Sequence, residues 1–194
     1  MATRIEYKNK NGESITKEEA LIIGDYIEIT KEGNLSKIEK EIASGNLTYV
    51  TFFKINESIP EILAMFPNDI TIKIMSLEQS FGSYQMIKEQ NYFNGNLAFM
   101  GQILENSIGR QIFFQALSIT NGNPIPGTVS KCFYFNKDEY YTFDYNSDGT
   151  IKSMDSTYNK NAGCWYLNDL NDLDGFSWSE VGSYYQNAEP ITPV

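Results

Sequence analysis

A chain of 194 residues with 41% apolar and 21% charged residues has the composition of a globular protein and the length for a substantial core. It contains no histidine, which excludes Ser-His-Asp and Cys-His catalysis and every histidine-containing zinc site. The net charge is −10, and residues 131–194 carry 10 acidic against 4 basic side chains. Nucleic acids and anionic membranes bind basic surfaces, so we expect neither as a partner. We expect a basic protein partner, with the alternative that the acidity only maintains solubility.

The start of the sequence and its two cysteines indicate a soluble, cytoplasmic protein. Residues 1–10 lack the apolar stretch of an export signal, and no run reaches the roughly 20 apolar residues that a spanning helix needs. Cys132 and Cys164 are too sparse for a disulfide scaffold and lack the spacing of a metal site. We therefore expect two reduced, buried thiols, although a trimmed export signal would leave the same sequence.

The first part of the chain, residues 1–78, predicts short helices that alternate with strands. Thr16, with Glu19 three residues later, has the pattern of a capping box at a helix start, and Gly24 is the expected stop. The alternation over residues 26–30 then predicts a strand.

Four further elements are predicted before residue 79. Apolar residues at helical spacing predict a helix over Leu35–Ser44, and a run of β-branched and aromatic residues predicts a central strand over Leu47–Ile55. Ser58 as a cap, with Pro60 in the first turn, predicts a helix that ends before Pro67. Alternating isoleucines predict a strand over Ile70–Ile74.

Helix signals nearly disappear after Phe81, and residues 79–160 predict an antiparallel meander. Turn residues separate six strand-like runs: Ser83–Lys88, Leu97–Leu104, Gln111–Ile119, Lys131–Phe135, Tyr140–Tyr145 and Thr150–Met154. The predicted fold is α+β, with short helices and strands in the N-terminal half and an antiparallel sheet in the C-terminal half. No linker divides the chain, so we expect one domain over residues 1–194, which ends in an acidic, aromatic segment at residues 161–194.

One stretch has the spacing of an EF-hand-type calcium loop. Side-chain oxygens stand at its positions 1, 3 and 5, glycine at 6 and a carboxylate at 12. A calcium ion needs six to eight converging oxygens, and the glycine permits the sharp bend. Locally the stretch resembles the loops of dockerin modules, in which Asp commonly takes the last place. The predicted ligands are Asp144, Asn146, Asp148, the carbonyl of Thr150, and Asp155.

The residues on either side favour a hairpin without metal. Residues 140–143 have a strand pattern and residues 156–159 are not helical, whereas an EF-hand has a helix on both sides. Residues 146–149 form the expected turn between the two strands. The stretch is also similar to the Tyr-Asp hairpins of YD-repeat shells, and this resemblance implies only a local hairpin. We predict a hairpin, with calcium binding as the alternative.

The C-terminal segment, residues 161–194, combines acidic and aromatic side chains and contains no Lys or Arg. Aromatic anchors supply contact area at protein interfaces, while charge steers the approach of a partner. Aromatic rings also suit a sugar, or they only cover the end of the sheet. The predicted partner-binding residues are Trp165, Tyr166, Asp169, Asp172, Asp174, Trp178, Tyr184 and Tyr185.

The motifs indicate a binding protein rather than an enzyme. Glycine-rich phosphate loops and the nucleophile-elbow motif are absent from the sequence, and no pair of acids stands out as an acid and a base. We expect no cofactor, unless residues 144–155 bind calcium. The leading hypothesis is a bacterial immunity protein or antitoxin that neutralises a basic toxin. The alternatives are a calcium-linked or glycan-binding module outside the cytoplasm and a hydrolase that uses two carboxylates.

Overall fold

The computed structural model describes residues 3–33, 35–170, 172–189 and 191–193, which are rich in β-strand. The strands are β1 (Thr3–Lys8), β2 (Ser14–Ile15), β3 (Tyr26–Glu32), β4 (Leu35–Ala43), β5 (Asn46–Lys54), β6 (Thr71–Phe81), β7 (Tyr84–Phe93), β8 (Asn96–Glu105), β9 (Gln111–Leu117), β10 (Ser130–Tyr134), β11 (Tyr140–Tyr145), β12 (Ile151–Ser156) and β13 (Gly163–Tyr166). The helices are α1 (Lys17–Ile23), α2 (Ile59–Ala64), α3 (Leu167–Leu170) and α4 (Trp178–Val181), followed by a 3-10 turn at Ser183–Tyr185.

The strands form one mixed sheet in which most neighbours in space are neighbours in the chain. From one edge the order runs from β13 down to β3, followed by β1 and β2. The pairings from β3 to β5 and from β9 to β13 are antiparallel, whereas β5 and β6 run parallel. A parallel pair needs a crossover connection, and α2 lies within it.

The chain packs as two compact units, each with a hydrophobic core of its own. The first unit comprises Met1–Leu77 and Lys88–Met100, and the second comprises Glu78–Ile87 and Gly101–Val194. Buried side chains of β5, β6 and α2 dominate the first core, while the second core draws on strands β9 to β12. The single-domain expectation stays a prediction, because compact packing does not test whether a unit folds independently.

The helix boundaries predicted from capping patterns are confirmed. Thr16 Oγ1 accepts a hydrogen bond from the Glu19 backbone N–H at 3.2 Å, and the Glu19 carboxylate accepts one from the Thr16 N–H at 2.8 Å. Gly24 follows α1 with a φ of 73°, a left-handed conformation that glycine adopts without strain. Ser58 and Glu61 form the same reciprocal capping box at the start of α2.

The helix predicted for Leu35–Ser44 is wrong, because residues 35–43 form strand β4. An interval of four between apolar residues fits one face of a helix, but as an even number it also fits one face of a strand. In β4, Ile38 pairs with Thr30 of β3 and Ile42 pairs with Leu47 of β5. Hydrogen bonding to a strand on each side therefore decided the conformation of this segment.

The prediction of short helices with strands in the first half and an antiparallel sheet in the second half is confirmed only in part. Strands run through the whole chain, and β1, β3, β4 and β5 precede the first of the strands expected after residue 79. Helices α3 and α4 follow the strands of the second half, where helix signals are weak. The antiparallel pairing expected there is present from β9 to β13. The protein is therefore a β-rich member of the α+β class.

A bulge in β4 buries a lysine in the first unit. The pairing of β4 with β3 shifts register between Thr30 and Lys31, and Lys37 is the additional residue of the bulge. The Lys37 side chain is only 8% exposed, and its Nζ lies 2.6 Å from Glu57 Oε1. The same Nζ lies 4.9 Å from the centre of the Phe52 ring. The Lys37 ammonium, helped by backbone N–H groups of the loop, lowers the pKa of Glu57 to about 2.

Glu57→Gln should destabilise the protein by about 2 kcal/mol, because it leaves a buried ammonium without its counter-ion. Urea unfolding of wild type and variant measures this loss. The difference in the free energy of unfolding between wild type and Glu57→Gln should shrink as the pH falls from 4.5 to about 2. Protonation of Glu57 over this range removes from the wild type the charge that the variant lacks.

The control is Lys10→Met, which removes one partner of an exposed ion pair with Asp25. Exposed pairs contribute little, so this variant should lose less than about 0.5 kcal/mol. Equal losses in Glu57→Gln and Lys10→Met would contradict the role assigned to the buried pair.

Candidate functional site

The C-terminal segment, of which residues 171, 190 and 194 lie outside the described residues, packs against β11. The side chains of Tyr141 and Phe143 are buried on the face of β11 that the segment covers. Phe176 packs on Tyr141 and Trp178 packs on Phe143, with ring centres 5.6 Å apart in both pairs. The segment therefore completes the core of the second unit.

The structure divides the predicted partner-binding residues into two groups. Four side chains are partly buried and make ring contacts or hydrogen bonds within the second unit: Trp165, Trp178, Tyr184 and Tyr185. The other four are exposed: Tyr166, Asp169, Asp172 and Asp174. The inward group matches the alternative in which aromatic side chains cover the sheet. Of the predicted aromatic anchors, Tyr166 is the one that faces outward, with 63% of its surface exposed.

A buried asparagine ties the segment to the sheet, and sequence reasoning missed it. Asn161 Nδ2 donates to the Tyr141 hydroxyl at 2.9 Å, and its Oδ1 accepts a hydrogen bond from Ser156 Oγ at 2.8 Å. The Asn161 backbone carbonyl accepts a hydrogen bond from Trp165 Nε1 at 2.9 Å. Buried amides need such partners. A single Asn in a polar stretch carries no sequence pattern that reveals this role.

A buried lysine holds the end of the segment. Lys131 is fully buried, and its Nζ donates to the backbone carbonyls of Tyr184 and Asn187, each at 2.9 Å. The Nζ also lies 3.8 Å from the centre of the Tyr184 ring. Nearby, the Tyr145 hydroxyl donates to the carbonyl of Tyr185 at 2.7 Å. Strands β10 and β11 therefore each supply a donor to the backbone of the segment.

The pKa of Lys131 is lowered to about 8, mainly by burial. The ammonium is thus still mostly protonated at neutral pH and can donate to both carbonyls. A sequence signal for the burial of Lys131 lies in the predicted strand Lys131–Phe135. Lys131 alternates with Phe133, and alternate residues of a strand share a face.

Lys131→Met should loosen the segment, because Met keeps an unbranched side chain of similar length but has no donor for the two carbonyls. We expect amide hydrogen exchange over residues 183–189 to be about tenfold faster, which corresponds to roughly one lost hydrogen bond. Lys137→Met, at an exposed position of the same unit, is the control and should leave exchange unchanged. Wild-type exchange rates in Lys131→Met would contradict the proposed clamp.

The stretch predicted as a hairpin or calcium loop forms a β-hairpin. A turn at residues 146–149 joins β11 to β12, and its backbone closes with Asn146 N–H donating to the Thr150 carbonyl at 2.8 Å. Asp148 Oδ1 accepts hydrogen bonds from the Thr150 N–H at 3.0 Å and from the Thr150 hydroxyl at 2.7 Å. These bonds stabilise the turn.

The outer two predicted calcium ligands lie in the strands rather than in the turn. Asp144 stands opposite Ser153, and its Oδ1 accepts a hydrogen bond from Ser130 Oγ at 2.8 Å. Asp155 stands opposite Thr142. In the described part of the chain, no three His, Cys, Asp or Glu side chains form a group that could hold a metal ion.

Calcium at about 1 mM, a concentration that suits weak sites, should leave the melting temperature unchanged relative to EDTA. The reason is that the Asp148 carboxylate is used within the turn and Asp155 lies away from it in β12. The variant Asp148→Asn tests whether any effect of calcium on the melting temperature comes from residues 144–155. A rise in the wild type that this variant lacks would contradict the prediction and establish residues 144–155 as an ion site.

The exposed residues lie around the edge strand β13 and form a surface that we call the acidic edge. Strand β13 is the last strand in the sheet order, and α3 packs against β12 and β13. Tyr166 and Leu167 are its apolar members, and 43% of the Leu167 surface is exposed. The acidic edge comprises Asp155, Tyr166, Leu167, Asp169, Asp172 and Asp174.

The two cysteines differ in their surroundings. Both are free thiols, but Cys132 is buried whereas Cys164 is exposed, so the expected burial of Cys164 is wrong. Cys164 lies in β13 opposite Asp155 of the acidic edge. A hydrogen bond to the Asp155 carboxylate raises the pKa of the Cys164 thiol. A thiol that is held protonated is a poor nucleophile, so Cys164 is not an activated cysteine.

No protein-family model matches this chain, and comparisons with curated proteins and with solved structures find no match. Within the described residues, every helix is too short or too polar to cross a bilayer.

Proposed function

We propose that this protein is a non-enzymatic binding protein whose acidic edge docks a basic protein partner. The observation that carries the proposal is an exposed apolar pair, Tyr166 and Leu167, beside the exposed carboxylates of Asp169 and Asp172. Aromatic and aliphatic anchors provide most of the binding energy at protein interfaces, and surrounding charges select the partner.

Electrostatic attraction supports a basic partner. Residues 161–194 contain no Lys or Arg, and the preceding Lys160, which lies against Gly175, is the basic side chain next to Asp174. A surface with an excess of one sign accelerates the encounter with an oppositely charged protein, and salt screens this effect. The association rate should therefore fall as ionic strength rises, while the apolar contacts of Tyr166 and Leu167 keep the bound complex together.

The position of the acidic edge also supports docking through the backbone. Strand β13 pairs with β12 on one side and is the end of the sheet order. The free edge of a terminal strand presents N–H and C=O groups that a strand of another chain can pair with. A basic partner that adds an extended segment to β13 would place its cations beside Asp169 and Asp172.

More specifically, we propose that the partner is a toxin. This chain would then be its immunity protein or antitoxin in the bacterial cytoplasm. Toxins that act on nucleic acids need basic surfaces, which an acidic protein can cover. The free thiols of Cys132 and Cys164 support a reducing compartment. A partner identified by affinity capture should be toxic when it is expressed alone and harmless when this protein is expressed with it.

Asp172→Lys combined with Asp174→Lys should abolish capture of the basic partner from a lysate of the source cells. These two charge reversals change the net charge of the protein from −10 to −6 and place two cations on the acidic edge. Tyr166→Ala should weaken capture by removing the exposed aromatic anchor, by about 2 kcal/mol if Tyr166 is a hot spot. Affinity capture with identification by mass spectrometry measures both effects.

The matched control is Glu18→Lys combined with Glu41→Lys, which makes the same change in net charge at exposed positions of the first unit. This variant should capture the partner as the wild type does. If the two double variants lose the partner equally, only overall charge matters. If neither loses it, the acidic edge is not the docking surface.

A further inference from the structure

Strands β9 and β10 pair over only part of their length, and a cleft opens where they separate. The pairing ends at Phe113 and Lys131, although β9 begins at Gln111 and β10 continues to Tyr134. Across the gap, the Tyr134 hydroxyl donates to the Gln111 carbonyl at 3.0 Å. Side-chain hydroxyls therefore replace strand-to-strand hydrogen bonds here, which leaves space that a regular ladder would close.

The cleft has the size of a small-molecule site and is lined mainly by tyrosines. Its volume is about 370 Å³, within the range of small-molecule pockets. The C-terminal segment supplies one wall, and the Tyr185 hydroxyl donates to the carbonyl of Cys132 at 3.3 Å. We call this site the tyrosine cleft, after the side chains that characterise it together with one amide: Tyr84, Asn106, Tyr134, Tyr184 and Tyr185.

A second, polar cleft adjoins the first through a shared residue. It has a volume of about 300 Å³, and Asn106 lines both. Ser80, Gln85 and Ser107 contribute neutral polar groups to it. Of the described residues that line the two clefts, none is an Asp, Glu, Lys or Arg. In a chain with 21% charged residues, this absence disfavours ionic ligands and favours a neutral one.

Two hydrogen-bonding groups of the tyrosine cleft are available to a ligand. Asn106 Oδ1 accepts from the backbone N–H groups of Ile108 at 3.1 Å and Arg110 at 3.0 Å, which fixes the amide plane. The Asn106 Nδ2 and the Tyr84 hydroxyl make no hydrogen bond to any residue that the structure describes. A preoriented donor and a free hydroxyl are what a polar neutral ligand requires in a partly apolar site.

The hydroxyls of Tyr134, Tyr184 and Tyr185 stay neutral at physiological pH. Burial raises the pKa of Tyr134 to about 12 and also raises the pKa values of Tyr184 and Tyr185. Each of these three hydroxyls donates to a backbone carbonyl, so the three side chains form uncharged, fixed walls of the cleft.

We propose that the tyrosine cleft binds a neutral saccharide. The C–H face of a sugar ring is apolar and packs on an aromatic ring, here Tyr84, while its hydroxyls meet the Asn106 Nδ2 and the Tyr84 hydroxyl. The Tyr134 ring is already covered by the Arg110 guanidinium, 5.2 Å from the ring centre, and therefore serves as a wall of the cleft. The neutral polar groups of the adjoining cleft hold a second sugar ring, so a disaccharide is the smallest complete ligand. This site is independent of the acidic edge and of the protein partner proposed for it.

Isothermal titration calorimetry with maltose, cellobiose, lactose and N,N′-diacetylchitobiose tests the proposal. At least one of these should bind the wild type with a dissociation constant near about 1 mM or tighter. Asn106→Asp should weaken binding at least about tenfold. This variant keeps the Oδ1 that orders the turn and replaces the Nδ2 donor by an acceptor. Tyr84→Leu should weaken it similarly, because it keeps apolar volume but loses the ring face and the hydroxyl.

Tyr166→Ala, on the acidic edge, is the control and should bind the sugar as the wild type does. Melting temperatures of all variants verify that they are folded, and Asn106→Asp keeps the test meaningful if Tyr84→Leu unfolds. Failure of all four disaccharides to bind the wild type at about 10 mM would overturn the proposal. Unchanged affinity in a folded Asn106→Asp variant would also overturn it.

Discussion

The buried ammonium of Lys131 is the interaction on which the second unit depends. A lysine without solvent contact needs an acceptor for its charge, and the backbone carbonyls of Tyr184 and Asn187 provide two. Tyr184 belongs to a 3-10 turn, and the carbonyls at the end of such a turn lack a partner within it and are free to accept from a cation. The C-terminal segment, which lacks basic residues, is thus anchored by a lysine that β10 places in the core.

Anchoring the segment determines where its aromatic side chains go. Once Lys131 and Tyr145 hold the backbone at residues 184–187, Tyr185 reaches the gap between β9 and β10, and Trp178 packs on Phe143. Burial of large rings yields more free energy than their exposure at a surface. Most of the aromatic residues that made the segment look like an interface therefore serve the core, and Tyr166 is left outside.

The same segment creates two surfaces with opposite chemistry in the second unit. Around β13 it exposes carboxylates beside Tyr166 and Leu167, which suits a charged protein. Beside β10 it closes a cleft without charged residues, which suits a small neutral ligand. The two sites use different forces, so salt should affect the first strongly and the second little.

The sequence by itself determined the elements whose stabilising contacts are local. The capping boxes of Thr16 and Ser58 close within three residues, and the hairpin turn at residues 146–149 closes within five, so their patterns could be recognised without the fold. Only the tertiary structure decided the conformation of residues 35–43, the partners of Lys131 and the inward direction of Trp178. These outcomes depend on pairing and packing between residues far apart in the chain, and the energy of such contacts exceeds local preference.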